Sequence, residues 1–182
     1  MHIIKHYLTI TRHRHKVIHY CFKCGLYFQG LVHDLSKYGF TEFFNGAKFY
    51  EGVRSPHYNE RMAKGFSESW MHHKGRNKHH FEYWNDYNLA LKKYCSVDMP
   101  NRYLAESICD RIAASKNYNR KSFTPKFVLD YFLNSTDIGI MHPNTAKRME
   151  YILRYYVENG EKKTFKYIKK YMRNKNTNIP MN

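Results

Sequence analysis

Leu31-Val32-His33-Asp34-Leu35-Ser36-Lys37-Tyr38 sets an imidazole beside a carboxylate in a stretch hemmed by leucine and valine. Burying a carboxylate is costly unless it is paired or binds a cation, so the stretch predicts partners brought in from elsewhere in the chain. It reads as a short helix over about 31–37, closed by Gly39. Neighbouring helical side chains point about 100° apart, yet both can reach one ion lodged against the helix. Imidazole suits transition metals, and carboxylate adds charge that also tolerates Mg or Mn.

Suitable partners lie on both sides. Upstream is His13-Arg14-His15-Lys16-Val17; downstream, His72 and His73 follow Trp70, and His79 and His80 precede Phe81-Glu82-Tyr83-Trp84. Asp110 ends the run Ala105-Glu106-Ser107-Ile108-Cys109-Asp110. The chain holds 12 histidines, enough to need a physical reason. Ligands scattered over several helices meet only when those helices pack, which is how bundles of facing helices assemble metal sites.

The flanking segments read as helices. Residues 3–29 offer Ile4, Leu8, Val17, Cys21 and Cys24 near helical spacing, with Gly25 and Gly30 marking a bend. Further helices are expected at about 41–50, 66–74, 78–94, 101–116, 125–134 and 144–158, the last stopped by Gly160, and a final one holds Phe165, Ile168 and Tyr171. Gly52, Pro56 and Gly65 predict a surface loop over 51–65 with at most one helical turn. No segment alternates with a period of two, so no sheet is expected. The fold class read from this pattern is all-α, a compact single-domain helical bundle over residues 1–182.

Bulk properties agree with a globular chain. At 182 residues, with 42% hydrophobic and 17% aromatic content, it can bury one core. No apolar run is long enough to cross a bilayer, and basic residues in the first sixteen positions interrupt any signal-like segment; no membrane partner and a cytoplasmic location are the expectation. Cys21 and Cys24 form a CxxC, whose plainer reading is a pair of small buried thiols. The net charge of +16 favours anionic partners. Much of it lies in Lys162, Lys163, Lys166, Lys169, Lys170, Arg173 and Lys175.

The order His, His-Asp, His and His-His, Asp resembles the HD-domain superfamily of metal-dependent phosphohydrolases. Within it, HDLSKYGFTEF (33–43), HHKGRNKHHFEYW (72–84) and AESICDRIAAS (105–115) look like an uncharacterised family of small bacterial and phage proteins. The resemblance covers about residues 10–120, leaving basic C-terminal helices at about 121–175 and a disordered tail at about 176–182. It implies a helical core holding one or two divalent ions, drawn from Mn, Mg, Fe, Ni, Co and Zn, and hydrolysis of phosphoesters. Carried over residue by residue, the first histidine falls on His15, with His19 as the alternative one turn later. The pair falls on His33 and Asp34 and the closing aspartate on Asp110. The extra histidines of two-metal relatives fall on His73 and His80, with His72 and His79 as adjacent rivals, and Asp34 then sits between the ions. Asp34 and Lys37 are the catalytic candidates, Lys37 and Arg76 the candidates for gripping phosphate. Phosphorylated small molecules, nucleotides and nucleic-acid ends are the substrates this implies; some members of the wider fold instead oxidise substrates at a di-iron centre.

Plainer readings stand beside these. His15 and His19 sit with Arg12, His13 and Arg14 and can form a basic face; Glu82 can act on a water or pair with Lys78 at helical spacing. Two other functions compete with hydrolysis. One is a metal-binding scaffold without turnover. The other is nucleic-acid binding, with the basic C-terminal helices tracking phosphates and Tyr151, Tyr155, Tyr156, Tyr167 and Tyr171 stacking on bases.

Overall fold

His6, Ile10, His13, Val17, Tyr20 and Cys21 form one buried stripe along α1 (Ile3–Lys23), three to four residues apart until the last pair, as a helix packed on one face requires. The computed structural model describes residues 1–173 and Ile179. Ile4 and Leu8, expected on the apolar face, are 74% and 51% exposed. Two of the six stripe positions are histidines, so apolar residues alone select the wrong face of this helix.

The helix expected over 3–29 is two helices. Gly25 takes φ 73°, its N–H donates to the Phe22 carbonyl, and the Leu26 N–H donates to the Cys21 carbonyl at 2.8 Å. This pairing satisfies the last carbonyls of α1 and reverses the chain. The following helix, α2 (Tyr27–Val32), lies against α1. The contact passes through Gly30, where an added Cβ would fall 2.9 Å from that of Cys21.

His33 and Asp34 do not lie inside a helix, as expected from the sequence, but at a break. α2 ends at Val32, His33 takes φ −52° and ψ 127°, and Asp34 is left-handed at φ 55° and ψ 23° before a 3₁₀ turn at Leu35–Tyr38. Aspartate tolerates this conformation better than most residues. Arg14 Nε donates to the His33 carbonyl at 3.1 Å, and Arg14 Nη2 donates to the Leu31 carbonyl, so α1 holds the open end of α2.

α3 (Phe40–Lys48) follows, and then α4 (Pro56–Lys64) replaces the expected loop over 51–65. Pro56 opens α4, and Gly65 at φ 79° closes it. These residues act as start and stop signals, the roles proline and glycine favour at helix ends. α5 (Glu68–Lys74) is capped by Ser67, whose Oγ accepts from the Trp70 N–H at 3.1 Å.

A second correction concerns 78–94, which is not helical. A 3₁₀ turn at Phe81–Tyr83 leads into an antiparallel hairpin of β1 (Asn85–Asn88) and β2 (Lys93–Ser96), with Tyr87 opposite Tyr94. Asp86 Oδ1 accepts from the Tyr87 N–H and Asn88 Oδ1 from the Leu91 N–H, local bonds that compete with a helical ladder. The expectation of no sheet therefore fails for this one small element. Leu89 and Leu91, at the tip of the hairpin, are 83% and 59% exposed.

The rest is helical: α6 (Asn101–Asn119), α7 (Pro125–Leu133), the short α8 (Asp137–Ile140) and α9 (Pro143–Tyr171). The chain is thus mostly helical and forms a single domain, as expected. α6 packs against α1, α7 and α9. Leu104, Ile108 and Ile112 of α6 meet Val17, Phe132, Met149, Ile152, Leu153, Phe165 and Ile168 in one apolar core. Burial of each such side chain contributes about 2 kcal/mol. Cys21, Cys24 and Cys109 are fully buried free thiols in this core, matching the plainer reading of the CxxC.

Gly160 interrupts α9 at φ 72° and ψ 175°. Tyr155 and Tyr167 would be about 18 Å apart along a straight helix, yet their ring centroids are 4.9 Å apart. The arms 143–159 and 161–171 therefore fold back on each other, and Gly160 acts as the expected stop. The disordered tail expected at about 176–182 lies outside the described residues except for Ile179, and so does Lys175. Among the described residues, no helix is long and apolar enough to cross a membrane.

Candidate metal centre

The break after α2 makes Asp34 the middle of a buried polar cluster. Its side chain is 2% exposed, and its two oxygens face different neighbours. Oδ2 lies 2.6 Å from Lys37 Nζ, 3.4 Å from His33 Nε2 and 3.8 Å from His13 Nε2. Oδ1 lies 3.2 Å from His73 Nε2 and 3.5 Å from His79 Nε2. Asp110, on α6, accepts from His13 Nε2 at 2.9 Å.

Two groups of side chains share this carboxylate. His13, His33, Asp34 and Asp110 form one; Asp34, His73, His79 and His80 form the other. In each, the atoms able to ligate lie within 4.8 Å of one another. α1 supplies His13, the α2 break supplies His33 and Asp34, and α5 supplies His73. His79 and His80 come from the turn after α5, which Asn77 ties to the break by donating to Ser36 Oγ at 3.0 Å.

The ring orientations are fixed from behind. Glu106 Oε1 accepts from His33 Nδ1 at 2.9 Å and from His79 Nδ1 at 3.2 Å, so one carboxylate holds a histidine of each group. Glu42 of α3 accepts from His72 Nδ1 and His73 Nδ1, both at 2.7 Å. For His33, His73 and His79 the bond leaves Nε2 turned toward Asp34, the arrangement that carboxylates impose on metal-binding imidazoles. Gln29, held by Arg102, stands behind Glu106.

Nε2 of His33, His73, His79 and His80 and both oxygens of Asp34 are buried and make no hydrogen bond of good geometry. Buried polar atoms are nearly always satisfied, and here four imidazole nitrogens without a partner gather around a carboxylate whose Oδ2 is ion-paired with Lys37. Imidazole nitrogen with carboxylate oxygen is a donor set for divalent transition metals. The residues present therefore fit one or two such ions.

Charge within the cluster is strongly perturbed. Burial alone would raise the Asp34 carboxyl, but the charges on His33 and Lys37 outweigh it and hold the group well below the carboxylate range. Burial likewise opposes the charge on His33, yet Asp34 and Asp110 raise it well above an ordinary histidine. His80 goes the other way, lowered by burial and then by His79 and His73. Burial opposes ionisation of Glu106 too, but the bonds from His33 and His79 bring it down to about 2. Asp34 and Glu106 thus stay anionic beside several imidazoles.

The structure brings together His33, Asp34, His73, His80 and Asp110 from the expected ligands, with Lys37 against Asp34. It does not bring in His15, which is exposed on the far face of α1, as is His19. His13, two residues earlier, reaches the cluster because the buried stripe of α1 runs through His6 and His13. Of the rivals, His79 lies in the cluster, whereas His72 turns to Glu42. Arg76 is exposed and donates to the His72 carbonyl. Lys78 lies over the Tyr83 and Tyr103 rings and makes no ion pair with Glu82 among the described residues. Sequence reasoning missed Glu42 and Glu106 as well as His13. The four-residue step from Glu106 to Asp110 on an otherwise buried helix was the signal that could have found Glu106.

The family of unknown function DUF5662 matches residues 2–155 of the chain. No curated protein and no solved structure matches it.

Proposed function

The chain belongs to DUF5662, a family of unknown function, so its activity has to be read from the site, and we propose that it is a divalent-metal-dependent phosphohydrolase acting on a nucleotide or another phosphoester. The observation that carries this reading is the convergence of four buried imidazole nitrogens without hydrogen-bond partners, Nε2 of His33, His73, His79 and His80, around the Asp34 carboxylate. His13, His33 and Asp110 would hold an ion at one face of Asp34, and His73, His79 and His80 at the other. A divalent ion held there lowers the pKa of a water and offsets the charge of a phosphoryl oxygen.

The chain's own groups do the rest. Glu106 and Glu42 keep the ligating nitrogens aimed inward by accepting from the opposite nitrogen of each ring. Lys37, about a quarter exposed while touching Asp34, can turn its ammonium to a phosphate oxygen at the mouth of the site. The basic surface favours the approach of an anionic substrate.

Elemental analysis of the purified protein is the first test, followed by a phosphomonoester and phosphodiester screen with Mn, Mg, Ni and Co. Metal with hydrolysis is the expected result. His33→Ala and Asp34→Ala should each abolish both while circular dichroism stays nearly unchanged. Full turnover in both variants would end the catalytic reading, and metal without turnover would leave a binding scaffold.

A further inference from the structure

The reversal of α9 at Gly160 joins four tyrosines from its two arms. Ring centroids lie 6.5 Å apart for Tyr151 and Tyr155, 4.9 Å for Tyr155 and Tyr167, and 4.7 Å for Tyr167 and Tyr171. All four are half-buried, whereas the fifth tyrosine of the segment, Tyr156, is 2% exposed and belongs to the core. The four tilted rings therefore form a partly exposed aromatic strip where the two arms meet.

Positive charge borders that strip. Lys162, Lys163, Lys166, Lys169, Lys170 and Arg173 are exposed on the second arm. Among the described residues, none of the six has a carboxylate within ion-pair distance. The arm's one acidic residue, Glu161, is already engaged by Lys23 and Lys116. On the helical wheel, Lys163 and Lys170 fall about 40° and 60° from Tyr167, with Lys166 next to Lys170 on the outer side, and Lys163 and Lys170 lie opposite the buried Phe165 and Ile168. Lys170 Nζ sits 4.8 Å from the Tyr171 ring centre.

We infer that this face of α9 binds single-stranded nucleic acid, with bases stacking against the tyrosine strip and phosphates tracking the adjacent lysines. Two features select this partner over other polyanions. A row of aromatic rings offers a π-face to any base, and a neighbouring row of cations follows the backbone. A duplex hides its bases, and a membrane interface would accept the phenols singly but has no use for a row of rings spaced to receive successive bases. The inference is independent of the metal site, since none of these residues belongs to it.

The test uses the full chain in chelator-containing buffer, so that binding is read apart from hydrolysis. Fluorescence anisotropy would follow a labelled oligothymidylate of about 16 nucleotides, the matching duplex, and phosphatidylserine vesicles as competitor. The single strand should bind at least about tenfold tighter than the duplex, and replacing Tyr155 and Tyr171 together by leucine should weaken it about tenfold or more. The paired phenylalanine variant should restore binding, which separates stacking from a folding defect. Lys163→Gln, Lys166→Gln and Lys170→Gln combined should reduce the salt slope by about 2. Absence of binding, equal affinity for the duplex, loss of the complex to vesicles, or a leucine variant that binds like the parent would each overturn the proposal.

Discussion

Asp34 shows how much one residue's backbone decides here. A regular helix through 31–37 would send His33 and Asp34 about 100° apart; the left-handed turn at Asp34 instead aims both at one centre. His13 and His15 make the same point on α1. They differ by two positions, about 200° around the helix, and only His13 shares the stripe with Ile10 and Val17. Nothing in the local run Arg12-His13-Arg14-His15-Lys16 distinguishes them; the packing of α1 on α6 does. His13→Ala should therefore lower metal affinity at least about tenfold, while His15→Ala leaves it unchanged. Isothermal titration of both variants with Mn or Ni checks this, and equal losses would return His15 to the ligand set.

At the scale of elements, α4 and α5 meet through a buried carboxylate. Glu60, 1% exposed, accepts from Ser67 Oγ at 2.6 Å and Ser69 Oγ at 2.5 Å, and Lys64 Nζ lies 3.1 Å away. The Glu68 N–H at the start of α5 also donates to it, and His57 Nδ1 lies 3.0 Å from Ser69 Oγ. Burial opposes ionisation, but the Ser67, Ser69 and Lys64 interactions bring the group down to about 2. A carboxyl lowered on folding adds stability above its unfolded value near 4.5, and that stability disappears as pH falls through about 2. Glu60→Gln should accordingly lower the melting temperature at pH 7, and the gap from the parent should narrow as the pH drops below about 4.5. A gap independent of pH would show that the charge contributes nothing.

The elements also show where the sequence could and could not be read. Apolar spacing was enough for α6, because Leu104, Ile108 and Ile112 recur every four residues on a helix buried on most sides. It failed over 78–94, where Leu89 and Leu91 lie exposed at the tip of a hairpin and Asn and Asp side chains took the backbone hydrogen bonds. In α4, proline and glycine were legible as punctuation, but whether they bounded a helix or a loop depended on Glu60 finding its partners in α5.

For the whole molecule, α6 is the shared wall. One side meets the apolar core, and Glu106 and Asp110 on another meet the histidines. Groups from α1, α2, α3, α5 and α6 close around Asp34, so an ion bound there would link helices distant in sequence. Ligand that binds only the folded chain stabilises it by mass action, about 2.7 kcal/mol at a hundredfold excess over Kd. Added Mn, Ni or Co should raise the melting temperature by several degrees, chelator should reverse the rise, and Asp34→Ala should be indifferent to both. A melting temperature insensitive to every metal would count against the site.

Composition, helical periodicity and the order of histidines and aspartates were enough to establish a mostly helical domain and to single out His33 and Asp34, because these depend on local pattern and on the cost of burying charge. Which of several neighbouring histidines face inward, which carboxylates hold them, and how the tyrosines of α9 meet across Gly160 was decided only by tertiary structure. Those choices turn on helix rotation and chain reversal, which are fixed by contacts between residues far apart in the chain.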